Sequence, residues 1–145
     1  MKFLSLTTKT YANLSKAFEV GCWGFDEKST LFRSKKTCSS ISKPQKGDIF
    51  IFNVKGIGIV SAARIVSDYY QKDTPIWQDG IYPYRYDIEP ILPILPPNQS
   101  LPKPSTYAPN CWWFCPHVIQ QDMAKQILYA LQKNALTMFC SLPVI

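Results

Sequence analysis

The feature that most constrains the fold is a run of six residues, 49–54 (IFIFNV), that is apolar almost throughout and is bounded by turns. Lys46-Gly47-Asp48 precedes the run and Lys55-Gly56 follows it. Glycine and aspartate are typical turn residues because they accept backbone conformations that strands do not use. A short apolar run between two turns predicts a buried strand, and residues 57–70 then predict the second strand of a hairpin.

The remaining pattern predicts two helices and two further strands. Residues 2–7 and 81–92 alternate as strands, and residues 11–18 follow a helix N-cap at positions 8–10. The period of Ile119, Met123, Ile127 and Leu131 predicts an amphipathic helix over residues 116–134. Residues 19–45 and the proline-rich stretch 90–116, which holds eight of the twelve prolines, predict irregular connections. The order of elements predicts an α+β domain over residues 1–134, with an unassigned tail at 135–145.

The charge is unevenly distributed. Of the +6 net charge, residues 1–64 contribute eleven bases and four acids, a balance of +7, while residues 65–145 contribute five bases and six acids, a balance of −1. A half-molecule this basic indicates a polyanionic partner, with nucleic acid the first candidate. Lysine is also a common solubility residue, so the charge alone leaves both interpretations open.

Metal, cofactor and nucleophile chemistry find little support in the sequence. The five cysteines do not have the spacing of a secreted disulfide framework. Cys111, Cys115 and His117 lie close together, but a structural zinc site uses two tight ligand pairs, and this is one loose pair with the only histidine. We therefore expect no metal and no cofactor. The absence of an apolar run of about 18 residues and of a signal-peptide core predicts a soluble, cytoplasmic protein.

Five short motifs, taken in order, resemble the EVE family. They are Trp23-Gly24, the segment 46–52 (KGDIFIF), the segment 56–62 (GIGIVSA), Pro75-Ile76-Trp77 and Tyr82-Pro83-Tyr84-Arg85-Tyr86. The resemblance runs from about Lys2 to Asn134. EVE domains belong to the PUA-like superfamily and are similar in fold to YTH readers of methylated adenine. The resemblance therefore implies a PUA-like fold, in which a curved, mostly antiparallel sheet or barrel is flanked by helices.

The resemblance also implies a pocket for a base that has swung out of its strand. Its aromatic walls would be Trp23 and Trp77, facing each other across a base-sized gap, with Tyr82 or Tyr84 as a third wall. The residues that would contact the base edge are Thr7, Thr8 and the backbone of Cys22 and Gly24. YTH readers place an asparagine after the first strand, where this chain has Thr8, so we expect a modified base in general rather than methyladenine in particular.

Such a pocket has a clear physical basis. A flipped base loses stacking worth a few kcal/mol and regains it on aromatic rings, at about 1–3 kcal/mol for each stack. Basic side chains would hold the phosphates and make the affinity depend on salt. The candidates are Lys28, Arg33, Lys35, Lys36, Lys43 and Lys46.

We therefore expect a non-catalytic reader of DNA or RNA that carries a modified, methylated base. Relatives in this family accompany restriction or RNA-modification systems, so the chain is expected to be the recognition module of such an assembly. Two alternatives from other classes remain open. One is an enzyme of the ASCH branch that acts on a nucleotide or a metabolite. Against it, this sequence offers no convincing pair of residues for acid–base catalysis. The other is a protein-interaction module that uses the proline-rich stretch. The aromatic residues also have a purely structural interpretation. Trp23 would then cap the core, and the alternating tyrosines would form a packed face of the sheet.

Overall fold

The computed structural model describes residues 1–26, 43–102 and 117–140. The strands in this part of the chain are β1 (Phe3–Thr8), β2 (Cys22–Phe25), β3 (Ile49–Val54), β4 (Gly58–Ile65), β5 (Tyr70–Gln71), β6 (Tyr84–Pro90) and β7 (His117–Ile119). The α-helices are α1 (Tyr11–Val20) and α2 (Gln121–Cys140), and a short 3-10 helix spans Pro97–Gln99.

The strands form one mixed sheet in the order β2-β6-β4-β3-β1-β7, with β5 beside β6. β3 and β4 make the predicted hairpin, with a register shift between Phe52 and Asn53. β1 pairs with β3 in parallel, which places Leu6 beside Phe52, and the other pairs are antiparallel. The predicted α+β class with a mostly antiparallel sheet is confirmed. The strand order has two ends, so among the described residues the sheet is open and not a closed barrel.

Both helices follow from their local sequence. α1 begins after Thr10, whose hydroxyl accepts a hydrogen bond from the backbone N–H of Asn13 at 3.1 Å. It ends at Gly21, which has a φ of 74° in the left-handed region that glycine tolerates. In α2, the predicted apolar face is partly confirmed, because Ile127 and Leu131 are fully buried. α2 packs against β4 and the 3-10 helix.

Several elements differ from the prediction. Strand β2 lies within the segment predicted as loop, because pairing with β6 is a distant contact that leaves no local period. Residues 57–70 divide into β4 and β5, since the chain turns away after Ile65. Residues 117–119 form β7 against β1 instead of opening the last helix. That helix begins at Gln121 and continues past residue 134, where the predicted domain ends, to Cys140. The division into a domain and a tail stays a prediction.

Some predictions fall on residues that the structure does not describe. Cys111 and Cys115, which were considered and rejected as zinc ligands, lie there, as does the basic loop between Asp26 and Lys43. Among the described residues, no group of three or more histidine, cysteine or acidic side chains is arranged to hold a metal ion. Neither of the two described helices combines the length and apolarity needed to cross a membrane.

Candidate base-binding site

The two tryptophans implied by the sequence resemblance lie in contact with each other. The ring centroids of Trp23 and Trp77 are 6.3 Å apart, and their planes meet at 69°, an edge-to-face arrangement. Trp23 also packs against Phe52, with ring centroids 5.0 Å apart. Only 8% of Trp23 and 7% of Trp77 is exposed. The expected arrangement, in which the two rings face each other across a base-sized gap, is therefore not present in this structure.

Trp77 is carried by the loop between β5 and β6 and is fixed by polar contacts as well as packing. Its indole Nε1 donates a hydrogen bond of 3.0 Å to the backbone oxygen of Asn13 in α1. A β-bridge joins Trp77 to Gly80 and closes a tight turn that carries Asp79. These contacts give the ring a defined position although it lies outside the regular strands.

Arg85, a residue of β6, holds the same loop through its side chain. Its side chain is only 1% exposed, and its guanidinium carbon lies 5.6 Å from the centroid of the Trp77 ring. The Nε of Arg85 donates a hydrogen bond of 3.1 Å to the backbone oxygen of Tyr82. An Nη of the same side chain donates to the backbone oxygens of Ile81, at 2.9 Å, and of Thr74. This buried cation, which forms no ion pair with a carboxylate of the described residues, is thus satisfied by loop carbonyls and an aromatic face.

Tyr82 is the tyrosine that joins the tryptophans. Its ring contacts Trp77 edge to face, with centroids 5.5 Å apart, and its backbone has a positive φ of 48°. Its hydroxyl donates a hydrogen bond of 2.9 Å to the carboxylate of Asp79. Burial first, and then this hydrogen bond, raise the pKa of Tyr82 to about 12. We call Trp23, Trp77 and Tyr82 the aromatic cluster.

Asn13 and Asp79 are polar residues beside the cluster that the sequence analysis missed. The side-chain amide of Asn13 donates to both carboxylate oxygens of Asp79, at 3.1 and 3.0 Å. The same carboxylate therefore accepts from Asn13 and from Tyr82. An asparagine in a helix and an aspartate in a turn have no distinctive spacing, so only the fold shows that they meet.

Tyr84 takes a different place from Tyr82. Its ring stacks on Tyr69, with centroids 6.2 Å apart and planes within 15° of parallel. Of the two tyrosines considered for the third wall, Tyr82 is thus the one whose ring contacts Trp77. Both tyrosines are partly exposed.

The two threonines lie within β1 and make contacts inside the chain. The hydroxyl of Thr7 accepts a hydrogen bond of 3.3 Å from the side-chain amide of Asn53, which is its neighbour on β3. The hydroxyl of Thr8 donates to the backbone oxygen of Thr10 at 3.2 Å, and Thr8 is 3% exposed. Their predicted contact with a base edge stays a prediction, and it requires these hydroxyls to exchange or share their present partners.

Cys22 and Gly24 lie in β2, where they pair with Asp87 and Arg85 of β6. The absence of a side chain at Gly24 is essential for the cluster. A Cβ built there would lie 2.5 Å from the backbone oxygen of Tyr82 and 2.9 Å from the ring of Trp77. Glycine at this position therefore lets the loop with Trp77 and Tyr82 close onto the strand.

Two buried polar atoms near these residues have no hydrogen-bond partner within the described part of the chain. They are the indole Nε1 of Trp23 and the side-chain oxygen of Asn53. A buried polar group without a partner costs about 1–3 kcal/mol, so such groups are uncommon in native proteins. The Trp23 donor therefore gives the cluster a polar atom that a bound molecule or water would satisfy.

Of the six predicted phosphate-binding residues, the structure describes two. Lys43 and Lys46 are exposed, and the Nζ of Lys43 lies 4.9 Å from the centroid of the Tyr69 ring. Lys28, Arg33, Lys35 and Lys36 lie outside the described residues. Their assignment to phosphate contacts stays a prediction.

Comparison with known proteins reveals similarity in fold. No family model matches the sequence, and no curated protein matches it. A crystal structure of the Mmi1 YTH domain matches with a TM-score of 0.64 at 13% identity, covering 94% of this chain and 99% of that one. The YTH domain of Zygosaccharomyces rouxii MRB1, in complex with N6-methyladenosine RNA, matches with a TM-score of 0.59 at 20% identity, covering 90% and 86%. The Pho92 YTH domain in complex with m6A matches with a TM-score of 0.58 at 20% identity, covering 90% and 83%.

These matches extend over nearly the whole chain on both sides, although the sequences differ at four positions in five or more. The similarity to YTH domains in fold, which the EVE resemblance implies, is confirmed, while membership of the EVE family itself stays a prediction. The chain has the fold of a YTH domain.

Proposed function

We propose that this chain is a non-catalytic module that binds RNA carrying a methylated base, and that the aromatic cluster receives that base. The observation that carries the proposal is the cluster itself: Trp23, Trp77 and Tyr82 meet at one place in a fold that other chains use to bind RNA. The YTH domains of MRB1 and Pho92 with the same fold have been solved with N6-methyladenosine RNA and with m6A. Adenine methylated at N6 is therefore the first base to test.

Base entry requires the cluster to open. Because the rings of Trp23 and Trp77 touch edge to face and are both buried, a base gains a stacking surface only when one of them turns aside. Trp77 is the ring we expect to move, since it lies on a loop whereas Trp23 is part of strand β2. Moving it breaks the hydrogen bond from Nε1 to Asn13 and the ring contacts with Arg85 and Tyr82. Each new stack on a base returns about 1–3 kcal/mol.

Several polar groups beside the cluster suit a base edge. The Nε1 of Trp23, which has no partner in the described parts of the chain, is a donor. The carboxylate of Asp79 is an acceptor held by Asn13 and Tyr82. A base offers both acceptors and donors along its edge, so these groups would fix its orientation. The methyl group adds about 0.8 kcal/mol of its own when it is buried, which amounts to roughly a fourfold gain in affinity.

A binding role also fits the burial of Cys22, the residue before Trp23. Cys22 is 5% exposed, and burial raises the pKa of its thiol. A nucleophilic cysteine needs the opposite, a lowered pKa and access to substrate. Four other ideas stay predictions from the sequence. They are an enzymatic role, a protein-interaction role, binding of modified DNA, and membership of a restriction or modification system.

Fluorescence anisotropy with short labelled RNAs tests the proposal. Two RNAs of identical sequence, one with adenosine and one with N6-methyladenosine at the central position, are titrated with the chain. A DNA pair with the matching methylated base is titrated in parallel. We expect tighter binding of the methylated RNA, and loss of that preference in Trp77→Phe, whose smaller ring offers less stacking surface.

The control variant is Tyr129→Phe, at a tyrosine of α2 that is 70% exposed, and it should keep the preference. Equal affinity for the methylated and unmethylated RNA would overturn the proposal. A preference confined to the DNA pair would overturn its assignment to RNA and favour the modified-DNA alternative.

A further inference from the structure

We propose that Tyr84, supported by Tyr69 and Lys43, is a second stacking surface, which binds the nucleotide next to the methylated one. This inference rests on the proposed function, because it assumes that the ligand is RNA. We call these three residues the tyrosine platform. It lies outside the aromatic cluster, and it would bind the strand through any base instead of recognising the modification.

Several contacts hold the rings of the platform in place, which favours stacking. Tyr69 and Tyr84 lie nearly parallel at 6.2 Å, and the fully buried Tyr86 packs against Tyr69 at 5.9 Å. The side-chain amide of Gln71 donates a hydrogen bond of 2.7 Å to the hydroxyl of Tyr69. A ring fixed in advance loses little conformational freedom when a base stacks on it, so more of the stacking energy is realised as affinity.

The rings are accompanied by positive charge. The ammonium group of Lys43 lies 4.9 Å from the centroid of Tyr69, and Lys46 is exposed in the turn that follows. A partly exposed aromatic surface beside lysines matches a single strand, in which flat bases alternate with negatively charged phosphates. This combination favours nucleic acid as the occupant over an apolar peptide or an acidic metabolite.

The platform adjoins the aromatic cluster through the chain itself. Tyr82 contacts Trp77 in the cluster, and Tyr84 follows only two residues later, so their Cα atoms are at most about 7 Å apart. Tyr84 is held in β6 between Phe25 of β2 and Gln71 of β5. A strand that places one base in the cluster therefore brings a neighbouring base within reach of Tyr84.

The test compares Tyr84→Leu, Tyr84→Phe and the control Tyr129→Leu with the same pair of methylated and unmethylated RNAs. Loss of one stack predicts that Tyr84→Leu weakens both RNAs by a similar factor, about 5- to 100-fold, and leaves their ratio unchanged. Tyr84→Phe keeps the flat ring and should bind like the parent, as should Tyr129→Leu. Unchanged affinity of Tyr84→Leu for both RNAs would overturn the inference.

A second measurement uses the unaltered chain, so that it does not depend on the folding of a variant. A fluorescent adenine analogue is placed on either side of the methylated base, and binding should quench it at one of the two positions through stacking on Tyr84. Absence of quenching at both positions overturns the platform. If the parent chain shows no preference for the methylated RNA, the proposed function fails. If the preference is present and neither Tyr84→Leu nor the analogue responds, only the platform fails.

Discussion

The guanidinium of Arg85 lies against the ring of Trp77, with 5.6 Å between the guanidinium carbon and the ring centroid. Arg85 belongs to strand β6, whereas Trp77 belongs to the loop that precedes that strand. Because the same side chain donates hydrogen bonds to three carbonyls of the loop, at Thr74, Ile81 and Tyr82, it links the position of Trp77 to the sheet. The buried side chain of Arg85 thus helps to fix the position of Trp77 in the candidate site.

Replacing Arg85 should therefore loosen the loop. Lysine keeps the charge but lacks the planar group with several donors, so Arg85→Lys leaves at least one loop carbonyl without its partner. A hydrogen bond to a charged group contributes about 1.5–3 kcal/mol, and we expect the free energy of unfolding to fall by at least that amount. Chemical denaturation followed by tryptophan fluorescence measures it. Arg64→Lys, at an exposed arginine of β4, is the matched control, and an equal effect of both changes would contradict the role of Arg85.

Gly24→Ala tests the close approach of the loop to β2. The added Cβ would lie 2.5 Å from the backbone oxygen of Tyr82, a contact that only a shift of the loop can relieve. We expect a loss of about 1–3 kcal/mol of stability, as for other overpacked sites, together with a lower preference for methylated RNA. At Gly80 the added Cβ meets only the edge of the Tyr82 ring, at 3.1 Å, so Gly80→Ala should cost less. The reverse order of the two effects would show that the loop does not pack on Gly24.

Trp23 should behave as a core residue as well as a member of the aromatic cluster. It is 8% exposed and packs on Phe52, which is fully buried, so Trp23→Ala should cost about 3–5 kcal/mol of stability. Thermal melting measures the loss, with Tyr129→Ala as an exposed control. A Trp23→Ala variant that melts like the parent would mean that the cluster is open in solution and that the ring is a wall from the start. Binding by a Trp23 variant is best measured on Trp23→Phe, which keeps an aromatic ring at this position and removes less buried volume than alanine does.

An element of this fold is predictable from the sequence when the residues that determine it lie close together along the chain. The β3–β4 hairpin is confirmed because its apolar run, its glycine turns and its pairing are all local. Strand β2 and strand β7 are short and owe their structure to partners far along the chain, β6 and β1, so they leave no period of their own. The parallel pairing of β1 with β3 is also a long-range feature, because α1, β2 and a further stretch of chain separate the two strands.

The candidate site divides in the same way. Trp23, Trp77 and Tyr82 were named from motifs, and the fold brings them together as neighbours. The angle between the two indole rings is not predictable from the sequence. It depends on the absence of a side chain at Gly24 and on the contact of the Arg85 guanidinium with the Trp77 ring. The sequence predicts that the first strand ends at Thr7, whereas β1 includes Thr8, because the pairing with β3 extends to the last residue of the strand.

The basic side chains predict a strong salt dependence of RNA binding. Each lysine or arginine that contacts a phosphate displaces bound counterions, so the logarithm of the affinity should fall linearly with the logarithm of salt concentration. The double change Lys43→Gln and Lys46→Gln should make that slope shallower, and Lys125→Gln and Lys133→Gln, at exposed positions of α2, serve as the control pair. Titrations at several salt concentrations measure the slope. Binding that ignores salt would contradict phosphate contact.

The hydrogen bond from Tyr82 to Asp79 predicts a change in stability at high pH. The pKa of Tyr82 is raised to about 12 in the folded chain, mainly by burial and then by this bond, whereas an unfolded tyrosine has a pKa of about 10. The folded state therefore holds the proton more tightly, and its advantage is complete below pH 10. As pH rises from about 10 to about 12, the unfolded chain loses the proton first, so the free energy of unfolding decreases.

Tyr82→Phe isolates this contribution. Other tyrosines, among them Tyr70 and Tyr86, also have a raised pKa and weaken the fold over the same range, so the useful quantity is the difference between parent and variant. Below pH 10 the parent should be the more stable of the two, because it retains the bond to Asp79. The difference should shrink as pH approaches 12, since the phenylalanine has no proton to lose. Denaturation curves of both proteins at steps from pH 8 to 12 measure it. A constant difference across that range would mean that Tyr82 titrates alike in the folded and unfolded chains, and that its hydroxyl does not hold Asp79 in solution.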